Sequence, residues 1–240
     1  MIDWLRRERS SPSVRIGERE LPLAIRRHPR ATRLTMRLAP DGSEVRITLP
    51  RWGRTADALV FASKRVEWLE QQLACVPRAE PLLPGGTVAY RGERLAIDWD
   101  PALPRKPKLV DGCLRLGGPG ETLPARIRRW LEAEALRLLS VDLAEYCGRA
   151  GRPVPQLRLS RAGRRGGSCS GAGCIRINWR LIQAPDTVRR SVVAHEVAHL
   201  VHFDHSPAFR RLLAELFEED IAQADEWLRR EGRTLYATFG

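Results

Sequence analysis

The sequence predicts an α+β chain, with a β-rich region carrying one helix over residues 1–120 and a mostly helical region over residues 121–240. Three observations predict it. Residues 13–50 and 87–116 alternate apolar with polar side chains, the period of a half-buried strand. From Leu123 onward the apolar positions recur at helical spacing instead. Between the two lies Gly117-Gly118-Pro119-Gly120, a run that interrupts regular structure. With 240 residues, 43% of them hydrophobic, the chain is long enough to bury a core and too apolar to be disordered.

Each element follows from a local pattern. Val14-Arg15-Ile16, Leu34-Thr35-Met36-Arg37-Leu38 and Val45-Arg46-Ile47-Thr48-Leu49 read as strands, and Asp41-Gly42 between the last two is a hairpin-turn signal. A single amphipathic helix is expected from Thr55 to Ala74, with Leu59, Val60, Val66, Leu69 and Leu73 on one broad face. Residues 77–86 form a Pro/Gly-rich connection. Strands resume over 87–116, where Pro104 to Pro107 and Asp111-Gly112 punctuate them. A long helix over 124–148 carries Ile127, Trp130, Leu131, Ala135, Leu138, Leu139 and Leu143. Short strands near 156–160 and 174–178 precede two or three closing helices. No internal repeat and no low-complexity tract is expected.

Composition narrows the setting. No apolar run approaches the roughly 20 residues of a membrane span, and Met1-Ile2-Asp3-Trp4-Leu5-Arg6-Arg7 lacks the pattern of a secretory signal. Five cysteines, at 75, 113, 147, 169 and 174, form no CxxC pair. They read as reduced thiols in the cytoplasm rather than a disulfide framework. The formal net charge is +12, yet only Lys64, Lys106 and Lys108 among the 41 basic residues are lysines. Distribution says more than the total. Residues 151–200 hold nine arginines against Asp186 and Glu196, whereas residues 201–240 hold five against eight acids.

The segment Ser191-Val192-Val193-Ala194-His195-Glu196-Val197-Ala198-His199-Leu200 carries the chemistry. Histidines at i and i+4 stack on one helical face, about 6 Å apart along the axis, where both can reach one tetrahedral ion. Glu196, beside the first, can take a proton from a water that a metal activates. The apolar flanks bury this helix nearly all round, where two histidines and a glutamate would be costly without an ion. A third ligand is needed. Of the five histidines, His28 is remote in sequence, and His202 continues the same helix about 10 Å along the axis from His195. His205 is better placed, because Ser206 and Pro207 predict a capped new helix that swings it back. Glu215, Glu218 and Glu219 are the remaining alternatives. Cys169 reads as a buried inert thiol, with a role as a fourth, sulfur ligand as the other reading.

His195-Glu196-Val197-Ala198-His199 followed by His205-Ser206-Pro207-Ala208-Phe209 resembles the signature of the YgjP-like metallopeptidases, relatives of the SprT-like zincins. Gly167-Ser168-Cys169-Ser170 leading into Ile175-Arg176-Ile177-Asn178-Trp179-Arg180-Leu181-Ile182 and Pro185 resembles it too, as does the β-rich N-terminal half with its Trp68-Leu69 helix. The resemblance covers nearly the whole chain, most specifically residues 165–209. It implies a zincin-like α+β catalytic domain over 121–240, with the strand near 174–179 beside the active-site helix. It implies that His195, His199 and His205 bind one zinc and that Glu196 is catalytic in peptide hydrolysis. One departure is Gly166, where the family usually carries tryptophan.

Three readings of function follow. The leading one is a zinc peptidase acting on protein or peptide, with Tyr236, Tyr146 or His202 as donor to the oxyanion. The second is a DNA-associated module of SprT-like kind, in which the basic 151–165 stretch, with Arg158, Arg161, Arg164 and Arg165, binds nucleic acid. No zinc finger and no basic run interleaved with aromatics favours it. The third is a zinc hydrolase of another bond, since HExxH specifies water activation and not the substrate.

Overall fold

The computed structural model describes residues 12–76, 81–163, 165–171 and 173–239, and the chain divides into two compact units, Met1–Arg78 and Ala79–Gly240. The N-terminal heptapeptide, residues 77–80 of the expected connection and Arg164 lie outside the described residues. The composition shift near residue 120 falls inside the second unit, where the strands before it and the helix after it share one core.

In the first unit β1 (Ser13–Ile16), β2 (Arg19–Arg27), β3 (Thr35–Leu38) and β4 (Val45–Leu49) form one sheet in the order β1-β2-β4-β3. The outer pairs are antiparallel and β2 runs parallel to β4. Alternation puts Val14, Ile16, Leu21, Leu23, Val45, Ile47 and Leu49 in the buried cluster with Ala58, Ala62 and Leu69. Strand β2 is absent from the expected set because Pro22 sits inside it, and proline weakens a strand pattern. The expected single helix is two, α1 (Thr55–Ser63) and α2 (Val66–Ala74). The backbone leaves helical geometry at Arg65 (φ −125°, ψ 25°) with no Gly or Pro to mark the break. Helix α1 also turns an unexpected face inward, burying Ala58 and Ala62 and leaving Leu59 and Val60 exposed.

The second unit opens with β5 (Thr87–Tyr90), β6 (Glu93–Trp99), β7 (Lys108–Val110) and β8 (Cys113–Leu116), in the order β5-β6-β8-β7. Helix α3 (Leu123–Arg149) follows, then β9 (Gln156–Ser160), β10 (Gly167–Cys169) and β11 (Cys174–Asn178) in the order β10-β11-β9. A 3-10 turn over Trp179–Gln183 leads into α4 (Asp186–Ala198), α5 (Pro207–Leu216) and α6 (Ile221–Glu231). One core joins both sheets to the helices: Ile97 and Leu114, Ile127 and Leu131, Ile175 and Ile177, Val193 and Val197 are all fully or almost fully buried. Each such side chain contributes about 1.5–3 kcal/mol by leaving water. The fold is α+β, with the HExxH helix at the centre of a zincin-like domain. Among the described residues no helix is long and apolar enough to cross a membrane.

The two four-stranded sheets repeat one topology, which corrects the expectation of no internal repeat. In each, an antiparallel hairpin joins through a parallel pair to a second antiparallel pair. The likeness reaches individual residues. Two-residue turns, Gly17-Glu18 and Arg91-Gly92, close the first hairpins, and Asp41-Gly42 and Asp111-Gly112 turn the second, with glycine φ of 71° and 75°. Arg46 and Arg115 point outward between buried neighbours on β4 and β8. Unequal loops hide the repeat, because residues 39–44 separate β3 from β4 while only residues 111–112 separate β7 from β8.

Candidate metal centre

Helix α4 is fixed by charge as well as by apolar packing. Arg189 is 2% exposed, and its Nε donates to Asp142 Oδ2 on α3 at 2.8 Å, while Nη1 pairs with Asp186. Arg190 reaches Glu145 at 2.9 Å, Asp142 at 3.3 Å and Glu218 beyond α5. Tyr146 and Arg149 also donate to Glu218, at 2.9 and 2.7 Å. A buried guanidinium stripped of its carboxylates would be strongly destabilising. These pairs therefore hold the rotation and axial position of α4 against α3, and with them the direction of its histidines.

Helix α4 ends at Ala198, and His199 is its C-cap (φ −68°, ψ −17°). The chain then turns away through Leu200 and Val201, so His202 does not continue the helix as its spacing predicts. Its backbone carbonyl lies 3.0 Å from His199 Nδ1. A carbonyl can only accept, so Nδ1 carries the proton and Nε2 keeps a free lone pair. Ser206 caps α5, accepting from the Phe209 N–H at 3.4 Å with Pro207 in the first turn, as the sequence predicts. That turn returns His205. The Nε2 of His195 lies 3.2 Å from the Nε2 of His199 and 3.2 Å from that of His205. One ligand atom from each of the three lies within 4.8 Å of the others.

Phe209 packs beneath all three imidazoles, its ring centroid 5.0, 4.6 and 4.9 Å from those of His195, His199 and His205. It is almost fully buried. Although it stands in the motif, sequence reasoning gave it no role. Burial, then the neighbouring His199 and His205, push His195 down to about 4, so its ring is neutral and able to bind a cation near pH 7. His205 is exposed and the other two are half-buried, which leaves the centre open on one side.

Glu196 is 6% exposed, and burial pushes its carboxyl up to about 7 against the lowering effects of the Cys169 N–H and Arg165. Strand β10, the edge of its sheet, lies against it. A Cβ on Gly167 would stand 2.5 Å from Glu196 Oε1, so any side chain there would displace that carboxylate. At Gly166 a Cβ would meet Val192 Cγ1 at 3.2 Å, a contact that needs only a small shift. The expected neighbour of the active-site helix, the strand near 174–179, is there as β11, and β10 lies against the helix as well, with Gly167 beside Glu196.

The other candidate residues stand outside the histidine cluster. Glu218 is held by Arg190, Arg149 and Tyr146, and Glu219 accepts from Thr187 at 2.9 Å. Glu215 is exposed and does not join the histidine cluster. The Tyr236 hydroxyl donates to Ala162 O at 3.1 Å and accepts from Asn178 Nδ2 at 3.0 Å, and that of Tyr146 is spent on Glu218. The Cys169 thiol, raised by burial and then by Glu196 and Cys174, stands outside the cluster. Arg158 is exposed on β9, Arg161 pairs with Glu132 at 3.0 Å, and Arg165 lines a cleft of about 540 Å³ beside Glu196. Val192, Phe209, Leu213 and Leu228 give that cleft apolar walls.

Comparison with known proteins matches the chain to a family. No curated protein matches the chain. Among solved structures, the crystal structure of the metallopeptidase zymogen of Pyrococcus abyssi abylysin is 18% identical with a TM-score of 0.36, over 40% of this chain and 96% of that one. A likeness so slight carries no argument. The family model of the YgjP-like metallopeptidase domain, in contrast, matches residues 33–231, from the first sheet through the HExxH helix and α6. The chain belongs to the YgjP-like metallopeptidase family.

Proposed function

We propose that this metallopeptidase holds one zinc on His195, His199 and His205 and cleaves peptide bonds with Glu196 as general base. The observation that carries the reading is the convergence of three Nε2 atoms, with two separations of 3.2 Å. A tetrahedral ion bonded to nitrogen at about 2.0–2.1 Å keeps its ligand atoms about 3.3 Å apart. Imidazole nitrogens turned toward one point also suit a borderline-soft cation. When bound, zinc supplies Lewis acidity toward a peptide carbonyl and toward water.

The chain's own residues do the rest. Glu196 takes a proton from the attacking water and passes it to the leaving nitrogen, and a carboxyl poised near 7 can do both. Gly167 leaves that carboxylate its space, and the His202 carbonyl fixes the tautomer of His199. The cleft beside Glu196 would receive an extended peptide, its apolar walls excluding water. All of these groups lie within residues 121–240. Five unpaired thiols support a reducing compartment such as the cytoplasm. The nucleic-acid alternative gains nothing from Arg161 or Arg165, since one is ion-paired and the other faces the cleft.

Two sets of variants test this. Glu196→Gln should keep about one zinc per chain while hydrolysis of a quenched peptide falls about 10²-fold or more. His205→Ala should lose most of its zinc by elemental analysis, and His202→Ala should keep it, because only its carbonyl is used. An active Glu196→Gln enzyme, or equal zinc loss in both histidine variants, would overturn the assignment.

A further inference from the structure

Outside the catalytic cleft the second unit holds another cavity, of about 580 Å³, where the chain preceding α3 meets the first turns of that helix. Arg105, Lys106, Arg126 and Arg129 line it, and no acid does. Pro107, Pro119 and the half-buried Trp130 supply apolar wall. Elsewhere in this unit arginines pair with carboxylates, as Arg115 does with Asp98, Arg137 with Glu134 and Arg161 with Glu132. Among the described residues no carboxylate pairs with any of the four.

Arg126 is the most telling. It is 7% exposed, its Nη2 donates to Pro119 O and its Nε to Thr122 O at 3.4 Å, and its Nη1 has no hydrogen-bond partner. Gly118 lies close against that atom, and a Cβ there would stand 2.9 Å away. A full buried charge is thus balanced only by carbonyl dipoles, an expensive arrangement unless an anion comes near. Trp130, steadied by Tyr90 at a centroid distance of 5.0 Å, brings an aromatic surface to the wall.

We propose that this cavity is a second binding site, for a small organic phosphate carrying a flat ring system, of the nucleoside phosphate class. The phosphates neutralise the cations, and the ring packs against Trp130 and the prolines. The volume is that of a single small ligand rather than a polymer track. The proposal does not rest on the peptidase reading, because none of its residues belongs to the histidine cluster or its cleft.

The test is calorimetric titration of the full chain with ADP, and separately with adenosine, pyrophosphate and a short oligothymidylate. ADP should bind in the micromolar range, with adenosine and pyrophosphate each weaker by about tenfold or more, since each meets half the site. Arg105 and Arg129 are exposed, so their joint replacement by glutamine leaves the core intact. That double variant should weaken ADP by about tenfold or more, while Arg161→Gln leaves it unchanged and all proteins melt alike. Four results would overturn the proposal: no heat from millimolar ADP, equal affinity for pyrophosphate and ADP, an undiminished double variant, or tighter binding of oligothymidylate than of ADP. The last would make the cavity part of a nucleic-acid surface.

Discussion

Gly167 has no side chain because Glu196 occupies the space that one would need. Replacing it with alanine should push the carboxylate aside while leaving the three imidazoles where they are. A displacement on the order of 1 Å at a general base costs about 10²-fold in rate. On the proposed mechanism, Gly167→Ala is therefore expected to lose hydrolysis to that extent and to keep the proposed zinc, as peptide assay and elemental analysis would show. Full activity would mean that the base tolerates a shift the packing does not offer. The histidines were legible because their signals are local: an i, i+4 pair, then a Ser-Pro helix start that returns His205. The clearance at Gly167 was not legible, since it depends on β10 meeting α4 across 28 intervening residues. Phe209 carries no chemistry that would single it out, and its place under the imidazoles appears only when α5 packs.

Helix α4 shows how an element can be positioned by charge. Burial alone would raise Glu218, yet its own backbone N–H, Arg190, Tyr146 and Arg149 outweigh it and hold the carboxyl at about 2. A carboxylate depressed below its ordinary 4.5 stabilises the fold fully above that pH and ceases to do so as the pH falls toward 2. The melting temperature should drop through this window. Arg149→Gln, which removes one partner, should melt lower at pH 7 and converge on the wild type as the pH approaches 2. A pH-independent difference between the two would show that Arg149 acts by packing and not through Glu218. Elements were legible where their period was clean, as in α3, expected over 124–148 and found at Leu123–Arg149. They were missed where a local residue contradicted the period, as Pro22 does in β2, or where a break had no local mark, as at Arg65.

At the scale of the whole molecule, each unit has its own core, and the second contains every proposed ligand, Glu196 and the ion pairs that hold α4. Residues 79–240 expressed alone should therefore fold and bind zinc at the stoichiometry of the full chain, with a melting transition that a chelator lowers. An unfolded or zinc-free fragment would make the first unit a structural requirement of the centre. The repeated sheet also bears on how the chain folds. Tandem copies of one topology can trade strands during collapse, since a hairpin from either copy meets an edge of the same polarity. Here the copies differ where exchange would need them equal. A six-residue loop faces a two-residue turn, and a nine-residue β2 faces a seven-residue β6. A swapped hairpin would bring strands and a loop of the wrong length, leaving part of the receiving edge unpaired. The unequal loops that hide the shared topology from a reader of the sequence thus also make a hairpin of one sheet a poor fit to the other's edge.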